Sequence, residues 1–112
     1  MYKQGDIVII RFPFTDGSVF KKRPALVISN NKVNKTGDYL VVQITSKLID
    51  DDLSMQIADK DCITPLPLQS TLRLHKIFTI SQSLIISRLT AVKLNFLQKV
   101  CTKITALIIV PQ

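Results

Sequence analysis

The apolar residues of this chain change their spacing once, close to its C-terminal end. Up to Ile80 they form short β-branched runs separated by turn residues, which is typical of strands. Beyond that point, apolar residues recur at intervals of three or four positions, at Leu89, Val92, Phe96, Val100, Ile104 and Leu107. This spacing predicts an amphipathic helix, with Thr90 as its N-cap and Pro111 just past its end. Five or six strands followed by one helix predict a mainly β fold, a strongly curved sheet or small barrel with the helix against it.

The part of the chain before this helix carries five strand-like runs. Their β-branched and aromatic residues, and the turns that bound them, place the strands at Ile7–Phe14, Ala25–Ser29, Tyr39–Thr45, Leu53–Ile57 and Thr71–Ile80. Pro24, which has no N–H, is expected to open the second strand. Asp16-Gly17 supplies a turn after the first strand, and Asn30–Asp38 and Ala58–Ser70 are expected to be loops.

Alternation within the last of these strands assigns its side chains to two faces. Leu72, Leu74 and Ile77 are expected to face inward. Arg73 and His75 then share the opposite face, where a fixed positive charge lies beside a group that titrates near neutral pH.

Length and charge restrict the class of protein. A chain of 112 residues buries about 65% of its unfolded surface, enough for one core, so we expect a single domain over residues 1–112. Fifteen Lys and Arg residues against eight Asp and Glu give a net charge of +7. Such a balance is typical of proteins that contact nucleic acid, an anionic membrane or an acidic protein, and charge alone does not choose among them.

No segment of the sequence indicates export or membrane insertion. The opening residues MYKQGD lack the apolar core of a signal peptide, and the longest apolar tail, Ala106–Val110, is far shorter than the roughly 17 residues of a membrane span. Cys62 and Cys101 lie far apart without CxxC spacing, so we expect both to be reduced. These features predict a cytoplasmic protein.

Several kinds of catalytic site find no support in the sequence. His75 is the only histidine and no cysteine or second histidine stands at ligand spacing, so we expect neither a metal nor another cofactor. The acidic run Asp50–Asp52 is interpreted as a solvated loop. No glycine-rich phosphate loop and no GxSxG or Cys-His pattern is present.

A small set of polar residues at predicted strand ends and on one strand face remains. It consists of Arg23, Thr45, Ser46, Arg73, His75 and Lys76. Each taken singly has an ordinary structural explanation, such as the wet face of a half-buried sheet. Together they suit phosphodiester cleavage, because arginine offers a fork of donors to phosphate oxygens and histidine can accept a proton near neutral pH. In RNA the 2′-hydroxyl is a built-in nucleophile, so such a site needs no metal.

Four segments of the chain, in this order, resemble the MazF/PemK family of bacterial toxins from type II toxin–antitoxin modules. They are GDIVIIRFPFTDGS, KKRPALVIS, VVQITS (Val41–Ser46) and STLRLHKIFTIS (Ser70–Ser81), with the terminal helix in the expected place. The resemblance implies an SH3-like small barrel of the MazF/PemK/CcdB type with a C-terminal helix, and a homodimer. It also implies a metal-independent, sequence-specific endoribonuclease that cuts single-stranded mRNA through the 2′-hydroxyl and leaves a 2′,3′-cyclic phosphate and a 5′-hydroxyl.

The resemblance also assigns roles to individual residues. Arg23 of the Arg-Pro motif matches the family's catalytic arginine, and Thr45 of the Ile-Thr-Ser motif matches its catalytic threonine. One branch of the family has an acid–base pair Arg-x-Asp on the later strand, which here reads Arg73-Leu74-His75, so histidine replaces aspartate. We therefore predict Arg73 and His75 as further catalytic residues. The predicted RNA-binding residues are Lys21, Lys22, Ser46, Lys47 and Lys76.

An acidic antitoxin with a flexible segment that folds over the basic groove is the implied protein partner. Two alternatives stay open. The related CcdB family shares the barrel but is not catalytic, and it poisons DNA gyrase through its C-terminal helix region. A degenerate nucleic-acid-binding module would need positive charge alone.

Overall fold

A computed structural model of the chain describes residues 1–13 and 20–112, and the predicted Asp16-Gly17 turn lies outside these residues. Within them the chain forms six β-strands and two α-helices. The strands are β1 (Asp6–Pro13), β2 (Phe20–Val27), β3 (Asp38–Thr45), β4 (Ser54–Ile57), β5 (Ser70–Ser81) and β6 (Ile85–Ala91). The helices are α1 (Asn31–Asn34) and α2 (Leu94–Ile108). The prediction of a mainly β fold with a C-terminal helix is confirmed.

All six strands described belong to one antiparallel sheet in the order β4-β5-β3-β2-β1-β6. The outer strands β4 and β6 do not pair with each other in the described chain. Instead, the segment after β4 reaches the end of β6, where Cys62 pairs with Val92 and the Ile63 N–H donates to the Ala91 carbonyl at 2.9 Å. These contacts link the segment after β4 to the end of β6, but the sheet itself is not closed over the described residues.

Both faces of the central strands are buried, which explains their almost continuous apolar sequences. On one face, α2 packs Phe96, Leu97, Val100 and Ile104 against Ile7 of β1 and the neighbouring strands. The opposite face holds a second cluster built around Val8, Ile10, Val27, Tyr39 and Val41. Successive residues such as Ile7 and Val8 therefore belong to different clusters, as strand geometry requires.

The predicted helix was wrong at its start, because residues 85–91 form β6. The open edge of β1 accepts this β-branched segment as a strand, and Leu89 and Thr90 belong to it. The Thr90 hydroxyl oxygen accepts the Thr64 N–H at 3.1 Å and does not cap α2, whose N-cap is Lys93. The helix ends at Ile108, ahead of Pro111, since a proline disfavours helical backbone in the residue before it.

Two further predictions need correction. The second strand begins at Phe20, and Pro24 lies inside it opposite Ile9 of β1. β3 pairs with β2 only from Ala25 onward, so the missing N–H of Pro24 falls where one side of the strand has no partner. The predicted loop after β2 contains α1, which Asn30 caps by accepting the Lys32 N–H at 3.0 Å.

The predicted loop Ala58–Ser70 also contains a 3₁₀ turn at Asp59–Asp61. Ser70, the last residue of that predicted loop, is the first residue of β5. Cys62 and Cys101 are free thiols, and burial raises the pKa of both. Neither α-helix in the described part of the chain has the length and apolar character needed to cross a membrane.

Candidate functional site

Side chains from β2, β3 and β5 meet at a cleft of about 410 Å³. Its lining residues are Phe12, Arg23, Gln43, Thr45, Lys47, Ile49, Arg73 and Lys76. The sheet order explains this meeting, because β3 lies between β2 and β5. Ala25 of β2 pairs with Gln43 of β3, and because the two strands are antiparallel, Arg23 lies at the level of Thr45. Thr45 in turn pairs with Thr71 of β5. Five of the predicted site residues thus meet in one place.

The electrostatic character of this cleft is set by four cationic side chains around one hydroxyl. Arg23, Lys47, Arg73 and Lys76 carry the charge, and Thr45 provides the hydroxyl. The Thr45 Oγ1 accepts the backbone N–H of Lys47 at 3.2 Å, which orients the hydroxyl and leaves its proton for another acceptor. An anion with several acceptor oxygens, such as a phosphodiester, is the ligand that this arrangement suits.

Arg73 is held in place by a carboxylate from the loop before β4. Its Nη1 donates to both carboxylate oxygens of Asp51, at 3.2 and 3.1 Å, and to the Ser54 hydroxyl at 2.5 Å. Hydrogen bonds from Ser54 and Arg73 hold the pKa of Asp51 below its ordinary value. All these contacts use Nη1, so within the described residues the Nε and Nη2 groups of Arg73 are left to donate elsewhere.

The run Asp50–Asp52 is an exposed loop, as predicted, but Asp51 also has structural partners that the sequence did not indicate. The Asp51 carboxylate accepts the backbone N–H of Leu53 at 3.0 Å and the Ser54 hydroxyl at 2.7 Å, which fixes the turn into β4. Because Ser54 pairs with Arg73 across the two strands, this turn carries Asp51 to the arginine.

His75 does not line the cleft, although simple alternation places it beside Arg73. Val42 of β3 pairs with Ile77 of β5, and Ile44 pairs with Leu72. One residue of β3, Gln43, therefore stands opposite four residues of β5, 73–76. This irregularity interrupts the alternation, and it is Lys76 that lines the cleft with Arg73. The His75 side chain is exposed.

The inward face predicted for β5 is correct in part. Leu72 and Leu74 are buried, but Ile77 is 38% exposed, since it follows the irregularity. The alternation therefore predicts the buried face of β5 correctly as far as Leu74, but not at Ile77.

A second cavity, of about 310 Å³, shares Arg23 with the cleft. It is lined by Ile9, Lys22, Arg23, Pro24, Ile44, Ser46, Leu66, Pro67, Leu68, Ser70 and Leu89. Thr45 and Ser46 follow each other in the chain, and the first lines the cleft while the second lines this cavity. Lys22 lines the same cavity as Ser46, whereas Lys21 lines neither the cleft nor this cavity.

Sequence reasoning missed several residues of these two spaces. Phe12 reaches the cleft from β1 and packs edge-to-face on Phe78, with ring centroids 5.5 Å apart. The predicted loop Ala58–Ser70 includes three of them, Leu66, Pro67 and Leu68. Two prolines that bracket one leucine were the available signal of a fixed turn at this point.

A model of PemK-like, MazF-like toxins of type II toxin–antitoxin systems matches residues 3–108 of the chain. A search of curated protein sequences found no match.

Solved structures share the fold along nearly their whole length. One is an endoribonuclease from a mycobacterial species in complex with its cognate antitoxin, with a TM-score of 0.78 and 21% identity over 99% of this chain and 100% of that one. A MazE–MazF structure from Deinococcus radiodurans has a TM-score of 0.78 and 18% identity over 95% of this chain and 94% of that one. The Mycobacterium tuberculosis toxin MazF-mt6 has a TM-score of 0.71 and 16% identity over 90% and 93%.

Proposed function

Because the chain belongs to the family of PemK-like, MazF-like toxins of type II toxin–antitoxin systems, we propose that it is a metal-independent endoribonuclease. Its substrate is single-stranded mRNA, cut at specific sequences. Structural neighbours that are themselves endoribonucleases support this proposal, as does the composition of the cleft. The observation that carries it is the grouping of Arg23, Thr45 and Arg73 around one cationic cleft.

The two arginines of the cleft differ in their available charge. Arg73 is 13% exposed and its charge is offset by Asp51, whereas Arg23 forms no ion pair with any residue that the structure describes. We therefore assign Arg23 as the main ligand of the scissile phosphate. Arg73 supplies further donors at a fixed position, and Asp51 acts as a positioning residue for it.

The reaction follows from charge stabilisation. The 2′-oxygen attacks the adjacent phosphorus, a P–O2′ bond forms, and the bond to the 5′-oxygen breaks. The Arg23 guanidinium and the Thr45 hydroxyl donate to the non-bridging oxygens, where negative charge grows in the transition state. Lys47 and Lys76 add to the positive potential that binds the RNA backbone.

Proton transfer balances this scheme. The 2′-hydroxyl loses its proton and the departing 5′-oxygen gains one, and water is the partner in both steps. His75 does not line the cleft, so this scheme assigns it no proton transfer. The products are a 2′,3′-cyclic phosphate and a 5′-hydroxyl.

An acidic antitoxin is the proposed protein partner, in the cytoplasm. The net charge of +7 and the cationic cleft favour an acidic segment that covers the site. Structural neighbours were solved with their antitoxins.

We further propose a homodimer. Apolar side chains at and beyond the end of α2 are exposed, with Ile108 at 73%, Ile109 at 65% and Val110 at 82%. Such an apolar end is typical of a surface that a second protein covers. Light scattering coupled to size exclusion should give twice the monomer mass, and a monomer that cleaves RNA at full rate would contradict the dimer.

Incubation of the purified protein with a long single-stranded RNA in the presence of EDTA tests the function. We expect discrete cuts that carry 5′-hydroxyl ends and are lost in Arg23→Ala. Growth arrest without RNA cleavage, together with trapped gyrase–DNA complexes, would instead select a gyrase-binding toxin. Absence of both toxicity and cleavage would select a degenerate nucleic-acid-binding module.

A further inference from the structure

The cavity beside the cleft has a different chemistry from the cleft itself. Most of its wall is aliphatic or proline, contributed by Ile9, Pro24, Ile44, Leu66, Pro67, Leu68 and Leu89. Its polar groups are two serine hydroxyls and the cationic side chains of Lys22 and Arg23. An apolar pocket with a few placed polar groups is the usual form of a site that orients a small planar ligand.

The position of this cavity restricts what it can hold. Arg23 lines both spaces, and Ser46 of the cavity directly follows Thr45 of the cleft. Adjacent Cα atoms lie about 3.8 Å apart, so the two spaces share a wall. A phosphate bound at Arg23 would therefore lie within one nucleotide of this cavity.

The polar groups favour a nucleobase as the occupant. The Ser70 hydroxyl donates to the Leu68 carbonyl at 2.9 Å, so its oxygen is left as an acceptor. Every nucleobase combines apolar faces with an edge that has N–H groups in RNA, which matches leucine and proline walls beside such an oxygen. Lys22 at the same cavity suits the flanking phosphate of the same nucleotide.

We propose that this cavity, the base cavity, binds the nucleobase next to the scissile phosphate and contributes to the choice of cleavage sequence. The inference rests on the proposed endoribonuclease function. It assigns part of the sequence selection to the Leu66–Leu68 segment, in addition to the loops next to the cleft.

The test uses Leu68→Ala and Ser46→Ala in the full chain. Leu68 is 68% exposed, so its loss should leave the fold intact, and Leu94→Ala is the matched control, because Leu94 is also 68% exposed and lines neither space. Each variant cleaves an RNA library with random bases, and sequencing of the new 5′ ends gives the base preference at every position around the cut.

We expect Leu68→Ala to reduce the preference at one position beside the cut by about three- to tenfold, as loss of apolar contact does in a substrate pocket. Ser46→Ala should alter the same position, and Leu94→Ala should match the wild-type protein at every position. Unchanged preferences in both cavity variants, or an equal fall in rate at all sequences, would overturn the base cavity. A library that the wild-type protein leaves uncut would reject the endoribonuclease function itself.

Discussion

The cleft and the base cavity differ in chemistry although they lie side by side and share Arg23. The cleft collects four cationic side chains around the Thr45 hydroxyl, while the cavity is mainly aliphatic with two serines. The difference arises where two neighbouring residues, Thr45 and Ser46, leave the end of β3 toward different spaces. A single strand end can in this way separate contacts to the RNA backbone from contacts to a base.

Replacement of Arg23, which lines both the cleft and the cavity, should affect both spaces and gives the largest expected effect. We expect Arg23→Ala to lower the single-turnover cleavage rate by about 10²–10³-fold, since it removes donors to the developing phosphorane charge. Arg23→Lys should recover only part of this rate, because lysine keeps the charge but not the fork of donors. Arg11→Ala is the matched control, since Arg11 is exposed on β1 and lines neither space. A rate of Arg23→Ala within threefold of wild type would remove Arg23 from the mechanism.

Thr45→Val affects the cleft alone and keeps the shape of the side chain. Loss of a hydrogen bond to a charged oxygen should reduce the cleavage rate by about 10- to 100-fold. Thr45→Ser should restore most of it. The base preference, measured at equal extents of cleavage, should stay as in the wild-type protein, and a changed preference would show that the two spaces are not separate.

Asp51→Asn tests whether the anchored arginine matters, with an expected effect of a few fold on the rate. The variant removes the charge that fixes Arg73, so the KM for RNA should change less than kcat if Asp51 acts through positioning. Asp50→Asn, on the exposed neighbour in the same loop, is the control. Equal rates for the two variants would exclude a role for Asp51.

The same pair of variants predicts a pH dependence of stability. The pKa of Asp51 is lowered in the folded protein from an ordinary value of 3.8. Its contribution to the free energy of unfolding is therefore present above that value and is lost as pH falls through the lower folded-state pKa. Denaturant unfolding should show Asp51→Asn less stable than Asp50→Asn at pH 7, with the difference shrinking at pH 3. A difference that persists unchanged at pH 3 would contradict the lowered pKa.

His75→Ala has the smallest expected effect. Because His75 is exposed and does not line the cleft, we expect a rate within about twofold of wild type, far from the roughly 10²–10⁴-fold contribution of a general base. The opposite result is equally measurable. A loss of 10²-fold or more in His75→Ala, together with loss of the pH dependence seen in the wild-type rate, would identify His75 as the base.

Much of this arrangement could be predicted from strand patterns and motifs. β3 and β5 were placed to within one residue at each end, and the motifs around Arg23 and Thr45 identified the residues that meet in the cleft. Sheet order, which follows from long-range pairing, explains why Arg73 joins them. Local periodicity does not contain that information.

Three of the failures share a physical cause. The end of β6, from Leu89, was assigned to the helix because its apolar spacing continues that of α2, and only the free edge of β1 decides for a strand. His75 was placed by alternation that the irregular pairing opposite Gln43 interrupts. The contact of Asp51 was missed because its partner Arg73 lies on another strand, 22 residues further along the chain. Each error concerns a contact between residues far apart in sequence.

A crystal structure of the protein with an RNA that carries a 2′-deoxy nucleotide at the cut tests the central claim most directly. The missing nucleophile keeps the RNA intact. We predict a non-bridging oxygen of the scissile phosphate at hydrogen-bonding distance, about 2.7–3.2 Å, from both the Arg23 guanidinium and the Thr45 hydroxyl, with the adjacent base against Leu68. A phosphate bound away from Arg23, or a base that leaves the cavity empty while the phosphate occupies the cleft, would contradict the account.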